Sequence, residues 1–344
     1  MRVLVAMSGG VDSSVAAALL VEAGEEVVGA TMKLWGGPSD TGCCSVADVD
    51  DARRVAQQLG IAHHVFNFSE EFGRHVVEPY VSDHAKGRTP NPCIECNRHL
   101  KFDRLLARAD LLGFDAVATG HHARVTGGPD GSWLLRRGVD PAKDQSYVLH
   151  MLTQPQLARV RLPVGELMKT EVRQMASDLG LRTAAKPDSQ DVCFISRVGG
   201  REEFLGKRIA MRPGRIVDGA GEEIGQVSAV QLVTVGQRRR LGKLPAGDRR
   251  FVVKVDIAGA TVTVGPLADL LVSEIAVADP VWVDSPPGAG EALEVQVSAH
   301  GSPVRATWSP EGTVVLAAPI RRVAPGQSVV LYRGDAVIGG GAAV

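Results

Sequence analysis

The hexapeptide Ser8-Gly9-Gly10-Val11-Asp12-Ser13 limits what this chain can fold into more than any other stretch. The apolar run Val3-Leu4-Val5-Ala6-Met7 before it reads as a buried strand. Ser14-Val15-Ala16-Ala17-Ala18-Leu19-Leu20 after it reads as a helix rich in good helix formers. A strand, a glycine turn and a helix start together present backbone N–H groups and the positive helix end to an anion. Gly9 and Gly10 can take positive φ and leave no Cβ in the path of a phosphate. Ser8, Ser13 and Ser14 add hydroxyls, and Asp12 could orient a metal ion or a backbone amide. The loop lacks the Gly-Lys-Ser/Thr of a Walker A motif and the spacing of Gly-x-Gly-x-x-Gly.

Beyond the loop, strands and helices alternate. Strands are expected at 26–32, 61–67 and 115–119, and helices at 48–59, 70–84 and 97–112, the last capped by Asn97. Repeated units of this size predict an α/β domain, a parallel sheet with helices on both faces and ligands at the carboxyl ends of the strands. Ser8, Met32 and Gly120 all fall at such ends. From Trp133 to Leu179 the pattern reads as helical, most clearly at 145–152 and 170–179. Past Gly199, glycine and proline punctuate short β-branched runs, which predict two small all-β, barrel-like modules. The expected domains are 1–198, 199–265 and 266–344.

Five cysteines in 344 residues are too few for a disulfide framework, and no apolar run is long enough to span a membrane. With the first residues running straight into a strand, a cytoplasmic, unanchored, monomeric protein is expected. The net charge of −1 does not by itself indicate nucleic-acid binding. Its distribution does more: Arg98, Lys101, Arg104 and Arg108 lie in one predicted helix. A second group runs from Lys207, Arg208, Arg212 and Arg215 to Arg238, Arg239, Arg240, Lys243, Arg249 and Arg250. Such clusters can contact phosphates, or simply face solvent. Cys93-Ile94-Glu95-Cys96 alone is a metal half-site, a redox pair or a coincidence, although a thiol at a helix start has its thiolate favoured. Cys193, alone before Phe194-Ile195, fits a buried structural residue as readily as a catalyst.

The loop closely resembles the pyrophosphate loop of the N-type ATP pyrophosphatases. With Gly87-Arg88-Thr89-Pro90-Asn91-Pro92, Cys96-Asn97, Lys101-Phe102, Ala118-Thr119-Gly120-His121, Lys143-Asp144-Gln145-Ser146-Tyr147, Asp188-Ser189-Gln190, Cys193-Phe194-Ile195 and Gly236-Gln237-Arg238-Arg239, most of the chain resembles the tRNA-specific 2-thiouridylases. That resemblance implies ATP-dependent replacement of the C2 oxygen of the wobble uridine of tRNA by sulfur. It implies ATP contacts from Ala6, Met7, Ser8, Gly9, Gly10, Val11, Asp12, Ser13, Met32 and Gly120, with Mg²⁺ as counter-ion. Cys96 is the implied nucleophile and Cys193 the persulfide carrier, the two joining in a disulfide at the end of a turnover. Asn91, Pro92 and Cys93 meet the target base, and His121, Lys143, Asp144, Gln145 and Gln327 contact tRNA. A persulfide carrier or cysteine desulfurase supplies the sulfur.

The chain departs from that family at Cys93, where many members carry Asp. Three thiols, Cys93, Cys96 and Cys193, would also satisfy an iron–sulfur cluster with one open iron, which leaves a second route for the sulfur. Cys43-Cys44 fits a lid near ATP or an ordinary surface loop. A pyrophosphate-loop ligase acting on another substrate shares the first motif but has no use for Cys96 and Cys193. An RNA-binding protein with a vestigial nucleotide site needs only the β modules.

Overall fold

A computed structural model describes residues 1–34, 45–188, 192–196, 200–239, 241 and 250–344. Cys43, Cys44, Ser189, Gln190, Arg240, Lys243 and Arg249 lie outside the described residues.

The first sheet is parallel. Its strands β1 (Arg2–Ala6), β2 (Glu26–Lys33), β3 (Ala62–Asn67), β4 (Ala116–Ala118) and β7 (Val160–Arg161) run in the order β3-β2-β1-β4-β7. Alternate residues of β1 feed two cores. Val3, Val5 and Met7 pack with Val15, Ala52 and Val55 of helices α1 (Val11–Glu22) and α2 (Val46–Gln58), and Leu4 and Ala6 join the cluster of Tyr80, Leu100 and Phe102. Side chains that alternate along a strand while helices cover both faces are what the α/β reading requires. The strand order reverses between β1 and β4, so the crevice at their carboxyl ends is the natural place for a ligand.

Two long helices on one face each carry a π-helical stretch. Residues 69–85 form one helix with i→i+5 bonding over Gly73–Val77, and residues 92–111 form another with the same bonding over Cys96–Arg104. Such stretches cluster at functional sites. The second helix starts five residues earlier than the sequence suggested. Asn91 caps it, accepting from Cys93 N at 3.0 Å with Pro92 at its first position, while Asn97 is buried and donates to Val148 O at 3.0 Å. Asn97 is therefore not the cap.

The expected helix from Trp133 is a strand. β5 (Ala123–Gly127) and β6 (Trp133–Arg137) form a hairpin around the turn that contains Asp130-Gly131. The helical reading holds further along, at Ser146–Leu149, which is 3₁₀, and at Lys169–Asp178. The hairpin extends the sheet of the last domain, since Arg136 of β6 pairs with Ala336.

The rest is all-β. β8 (Gly214–Val217), β9 (Glu223–Val227), β10 (Phe251–Asp256) and β11 (Thr261–Gly265) form a four-stranded sheet over Ile216, Val230, Val252 and Val262. β12 (Leu271–Trp282), β13 (Ala292–Gln296), β14 (Val304–Ser309), β15 (Thr313–Arg321), β16 (Ser328–Arg333) and β17 (Ala336–Ala343) close on themselves through the β12–β17 pairing. Closure removes both sheet edges, and β6 docks beside β17. Polar contacts tie the barrel to the α/β domain. Tyr147 Oη donates to Ser328 O at 2.8 Å, Arg124 and Arg136 both reach Asp335, and the Arg137 guanidinium lies 3.7 Å from the centre of the Tyr332 ring.

Candidate active site

The Ser8–Ser13 loop turns off β1 into the first turn of α1. Gly9 holds φ +72°, and a Cβ there would sit 2.2 Å from Asp48 O, so only glycine fits. Gly10 is the N-cap of α1, and its carbonyl accepts from the Ser13 and Ser14 hydroxyls at 3.1 and 2.8 Å. Ser8 N donates to Ser13 Oγ at 3.2 Å. Behind the loop, Thr31 Oγ1 donates to Met7 O at 2.7 Å and accepts from His63 Nε2 at 2.9 Å. Met32 is buried two residues beyond Ala30, whose carbonyl accepts from Met7 N. Gly120 abuts the start of α1, where a Cβ would lie 2.5 Å from Ser13 N. Ser8, Met32 and Gly120 thus rim one crevice, open to an anion at the positive end of α1.

Asp12, which sequence offered as a metal or amide ligand, is committed elsewhere. Lys169 Nζ donates to both its oxygens at 2.6 and 2.7 Å, and His122 Nε2 donates at 3.1 Å. Burial would raise the Asp12 carboxyl, but these bonds outweigh it and hold the group below its ordinary value. Lys169 also meets Asp188 at 3.0 Å, and Asp188 further accepts from Lys143 at 2.8 Å and Arg173 at 2.6 Å. Partial burial opposes ionisation of Asp188, yet Lys143 and Lys169 drive its carboxyl well below the carboxylate range. Two residues earlier, Lys186 Nζ donates to Gly9 O at 2.9 Å, Asp48 at 2.7 Å and Asp51 at 2.8 Å. The segment leading to Cys193 is therefore anchored on the phosphate loop itself. Sequence reasoning missed Lys169, Arg173, Lys186 and His122. The only local signal was that Lys186 and Asp188 flank Pro187 just ahead of the Cys193 motif.

The thiols occupy a different wall. Cys93 stands in the first turn of helix 92–111. Cys96 opens the π-helical stretch one turn further in, and burial pushes its thiol up to about 11, with Lys101 opposing and Cys93 reinforcing the shift. The thiolate expected at a helix start is thus not favoured at Cys96. Cys193 begins the short helix Cys193–Ser196, whose Phe194 packs edge-on against Phe72 and Tyr80 at 5.4 and 5.8 Å. Cys96 and Val192 lie against that same apolar cluster. Cys96 carries a free thiol, whereas Cys193 is disulfide-bonded, so the expected Cys96–Cys193 bridge is not the one present. Among the described residues no three cysteine, histidine or carboxylate side chains converge as a metal site. With the Cys193 sulfur committed and the Cys96 thiol neutral, this state does not fit a cluster ligated by Cys93, Cys96 and Cys193.

The residues expected to touch tRNA separate into exposed and enclosed. His121 is buried, accepting from Lys101 Nζ at 3.2 Å through Nε2 and donating from Nδ1 to Thr119 Oγ1 at 2.6 Å. Burial, then Lys101, lower its pKa well below that of an ordinary histidine. The Asp144 carboxylate is consumed by Arg137, Gly138 N and Ser146. Gln145 is exposed but gives Oε1 to His122 N at 2.9 Å, and Lys143 reaches back to Asp188. Gln327 Nε2 donates to Thr89 O, while Thr89 N donates to Pro325 O at 2.7 Å. The barrel therefore grips the backbone just ahead of Asn91, Pro92 and Cys93.

Known proteins were compared with this architecture. Residues 1–197 match the family model described as tRNA methyl transferase HUP domain, 202–266 that of the tRNA methyl transferase PRC-barrel domain, and 272–343 that of the aminomethyltransferase beta-barrel domain. The chain is 49% identical over 350 residues to the tRNA-specific 2-thiouridylase MnmA of Chloroflexus aurantiacus, covering 99% of this chain and 97% of that protein. It is 47% identical over 347 residues to the protein of that name from Mycolicibacterium smegmatis, covering 97% and 96%. The namesake from Acidothermus cellulolyticus is 47% identical over 350 residues, covering 98% and 96%.

Proposed function

This chain belongs to the tRNA-specific 2-thiouridylase family and is an ATP-dependent sulfurtransferase acting on a tRNA uridine; we propose that its Ser8–Ser13 loop makes the C2 oxygen leave while Cys96 and Cys193 bring in the sulfur. A uridine C2 oxygen is a poor leaving group. Its attack on the α-phosphorus of ATP forms a C2–O–P bond and releases pyrophosphate, which the loop N–H groups and the start of α1 hold. Ala6 to Ser13, Met32 and Gly120 form the nucleotide wall. Asp12 is held by Lys169 and His122, so a Mg²⁺ counter-ion would draw its oxygen ligands from the phosphates and would supply charge neutralisation there.

Sulfur arrives as a persulfide on Cys193, delivered by a carrier or a cysteine desulfurase once the disulfide at Cys193 is reduced. The terminal sulfur adds to C2, and AMP leaves with the electron pair of the C2–O bond. Cys96 then attacks the inner sulfur, its thiol proton passing to the ring nitrogen of the base as the thiocarbonyl departs, and a Cys96–Cys193 disulfide remains for an external dithiol to reduce. Asn91, Pro92 and Cys93 take the flipped-out wobble base, and Gln327 holds that segment. His121, Lys143, Asp144 and Gln145 support the same wall, Lys143 and Gln145 from its exposed side. No helix among the described residues is long and apolar enough to cross a membrane, and a tRNA substrate suits a cytoplasmic address.

The observation that carries this reading is the anchoring of the Cys193 segment on the phosphate loop, Lys186 on Gly9 and Asp188 on Lys169. Tests incubate unmodified tRNA with the protein, ATP, Mg²⁺ and a persulfide donor, then weigh the wobble nucleoside by mass spectrometry. One oxygen exchanged for one sulfur is expected, and the exchange disappears in Cys96→Ser. Unchanged thiolation in both Cys96→Ser and Cys193→Ser would overturn the roles given to the two cysteines, and no exchange in the unmodified protein would favour a ligase that needs only the loop.

A further inference from the structure

Away from the phosphate loop, the central sheet and the last barrel border an open cavity of about 480 Å³ lined by Gly236, Gln237, Arg238, Arg239, Phe251 and Arg321. We propose that this cavity binds the tRNA phosphodiester backbone next to the target nucleotide and sets its register on the active-site loop, a role that rests on the sulfurtransferase reading above.

The chemistry of the walls points to that ligand. Arg238, Arg239 and Arg321 are exposed, and among the described residues no carboxylate pairs with them. Guanidiniums that no described carboxylate pairs with, set around an open cavity, present N–H forks matched to phosphate oxygens. Arg321 is already held in place, its guanidinium lying 5.3 Å from the centre of the buried Phe251 ring. The opposite wall is equally fixed. Gly236 takes φ +86° and donates to Val252 O at 2.8 Å, and Val252 N donates back to Gln237 O at 2.9 Å. The Gln237 side chain accepts from Thr234 N at 3.2 Å and donates to Arg239 O at 2.8 Å, which locks the turn carrying both arginines. A rigid frame loses little entropy when a phosphate docks. Base-reading groups are few here, so the contact would be independent of sequence.

Position supplies the second argument. Thr234, two residues before Gly236, meets Thr89 side chain to side chain at 3.5 Å. Pro325, four residues after Arg321, accepts from Thr89 N, and Gln327 holds Thr89 O. Both walls of the cavity thus run straight into the two grips on the loop that precedes Asn91, Pro92 and Cys93. Four residues span at most about 14 Å, so a phosphate on Arg321 lies within a few nucleotides of a base delivered to Cys93.

The test measures tRNA affinity against salt for the full-length protein, for Arg238→Gln/Arg321→Gln and for Arg238→Lys/Arg321→Lys. The control is Arg333→Gln, which removes one positive charge where it pairs with Glu291. Each phosphate contact contributes roughly 0.7 to 0.9 to the slope of log affinity against log salt. The Gln pair should lower that slope by about 1.5 and weaken binding at least tenfold at low salt. The Lys pair should keep the slope, and Arg333→Gln should match the parent. Melting temperature and ATP binding establish that each variant is folded. A parental slope and affinity in the Gln pair would overturn the proposal. Failure of the unmodified protein to bind tRNA would instead overturn the sulfurtransferase reading.

Discussion

Lys143, Lys169, Arg173 and Lys186 beneath the phosphate loop each meet a carboxylate, whereas Arg238, Arg239 and Arg321 around the cavity meet none among the described residues. The two regions carry the same sign of charge but use it differently. Paired cations at the loop hold Asp12, Asp188 and the Gly9 carbonyl in place, so the backbone N–H groups and α1 do the anion binding. The guanidiniums at the cavity, with no carboxylate partner among the described residues, have their charge left over for a ligand. A paired cation should therefore matter to stability and to loop shape, and an unpaired one to affinity and salt dependence.

Lys169→Met puts the largest strain on that division. Lys169 is only 10% exposed at its side chain and holds two carboxylates, Asp12 and Asp188. Removing one member of a buried pair costs about 3–5 kcal/mol, and the partial exposure of both carboxylates reduces this to about 2 kcal/mol. Thermal unfolding should register that loss, and ATP-dependent pyrophosphate release should fall by about 100-fold as the loop loses its shape. A variant with parental melting and release would show that Lys169 only decorates the loop.

Gly9→Ala tests the cradle without touching any charge. Left-handed φ costs a non-glycine residue about 1–2 kcal/mol, and the new methyl would also meet Asp48 O at 2.2 Å. ATP affinity should drop at least tenfold by calorimetry while tRNA affinity holds. Equal losses of both would mean that the loop and the cavity are not independent sites.

Acid provides a smaller and more general probe. Asp12 and Asp188 both have carboxyl groups held below their ordinary values. A depressed folded-state pKa contributes stability that is fully present above the unfolded value near 4 and is lost as pH falls below it. Melting temperature should therefore hold from neutrality to about pH 5 and fall steeply below pH 4, and Asp188→Asn should flatten part of that fall. An acid limb unchanged in Asp188→Asn would place the acid-sensitive stability elsewhere.

The loop itself was legible because its chemistry is local: strand, two glycines, hydroxyls and helix follow one another without a break from Arg2 to Glu22. Its supports were not, since Lys169 and Lys186 reach it across 157 and 177 residues of chain and no spacing rule connects them. The start of helix 92–111 was misplaced although Asn91-Pro92 is a cap followed by the proline that suits a first helical position. Cys-x-x-Cys drew the attention instead. Trp133–Arg137 was misread because a short apolar run with arginines fits either period; its hairpin partner β5 lies just ahead of it, but β17, which seats the hairpin on the barrel, lies two hundred residues away. Leu135 and Tyr147, now 0% and 1% exposed, share a core with Val330, Tyr332 and Val337 of the barrel, so deleting residues after 266 should make the chain aggregate rather than leave a clean ATP-binding domain.

Gln327→Ala gives the finest discrimination. Sequence placed Gln327 on tRNA, and the structure gives its amide to Thr89 O. If Gln327 acts by positioning, its loss removes one hydrogen bond worth about 1 kcal/mol and frees the loop ahead of Cys93, while the phosphate contacts stay intact. KM for tRNA should then rise about fivefold with the salt slope of binding unchanged, and Gln327→Glu, which cannot donate to a carbonyl when ionised, should behave like the alanine variant. A direct phosphate contact would show itself differently, because Gln327→Glu would bind tRNA far more weakly than Gln327→Ala through charge repulsion. The order of those two variants therefore decides whether Gln327 belongs with the paired supports of the site or with the free donors of the cavity.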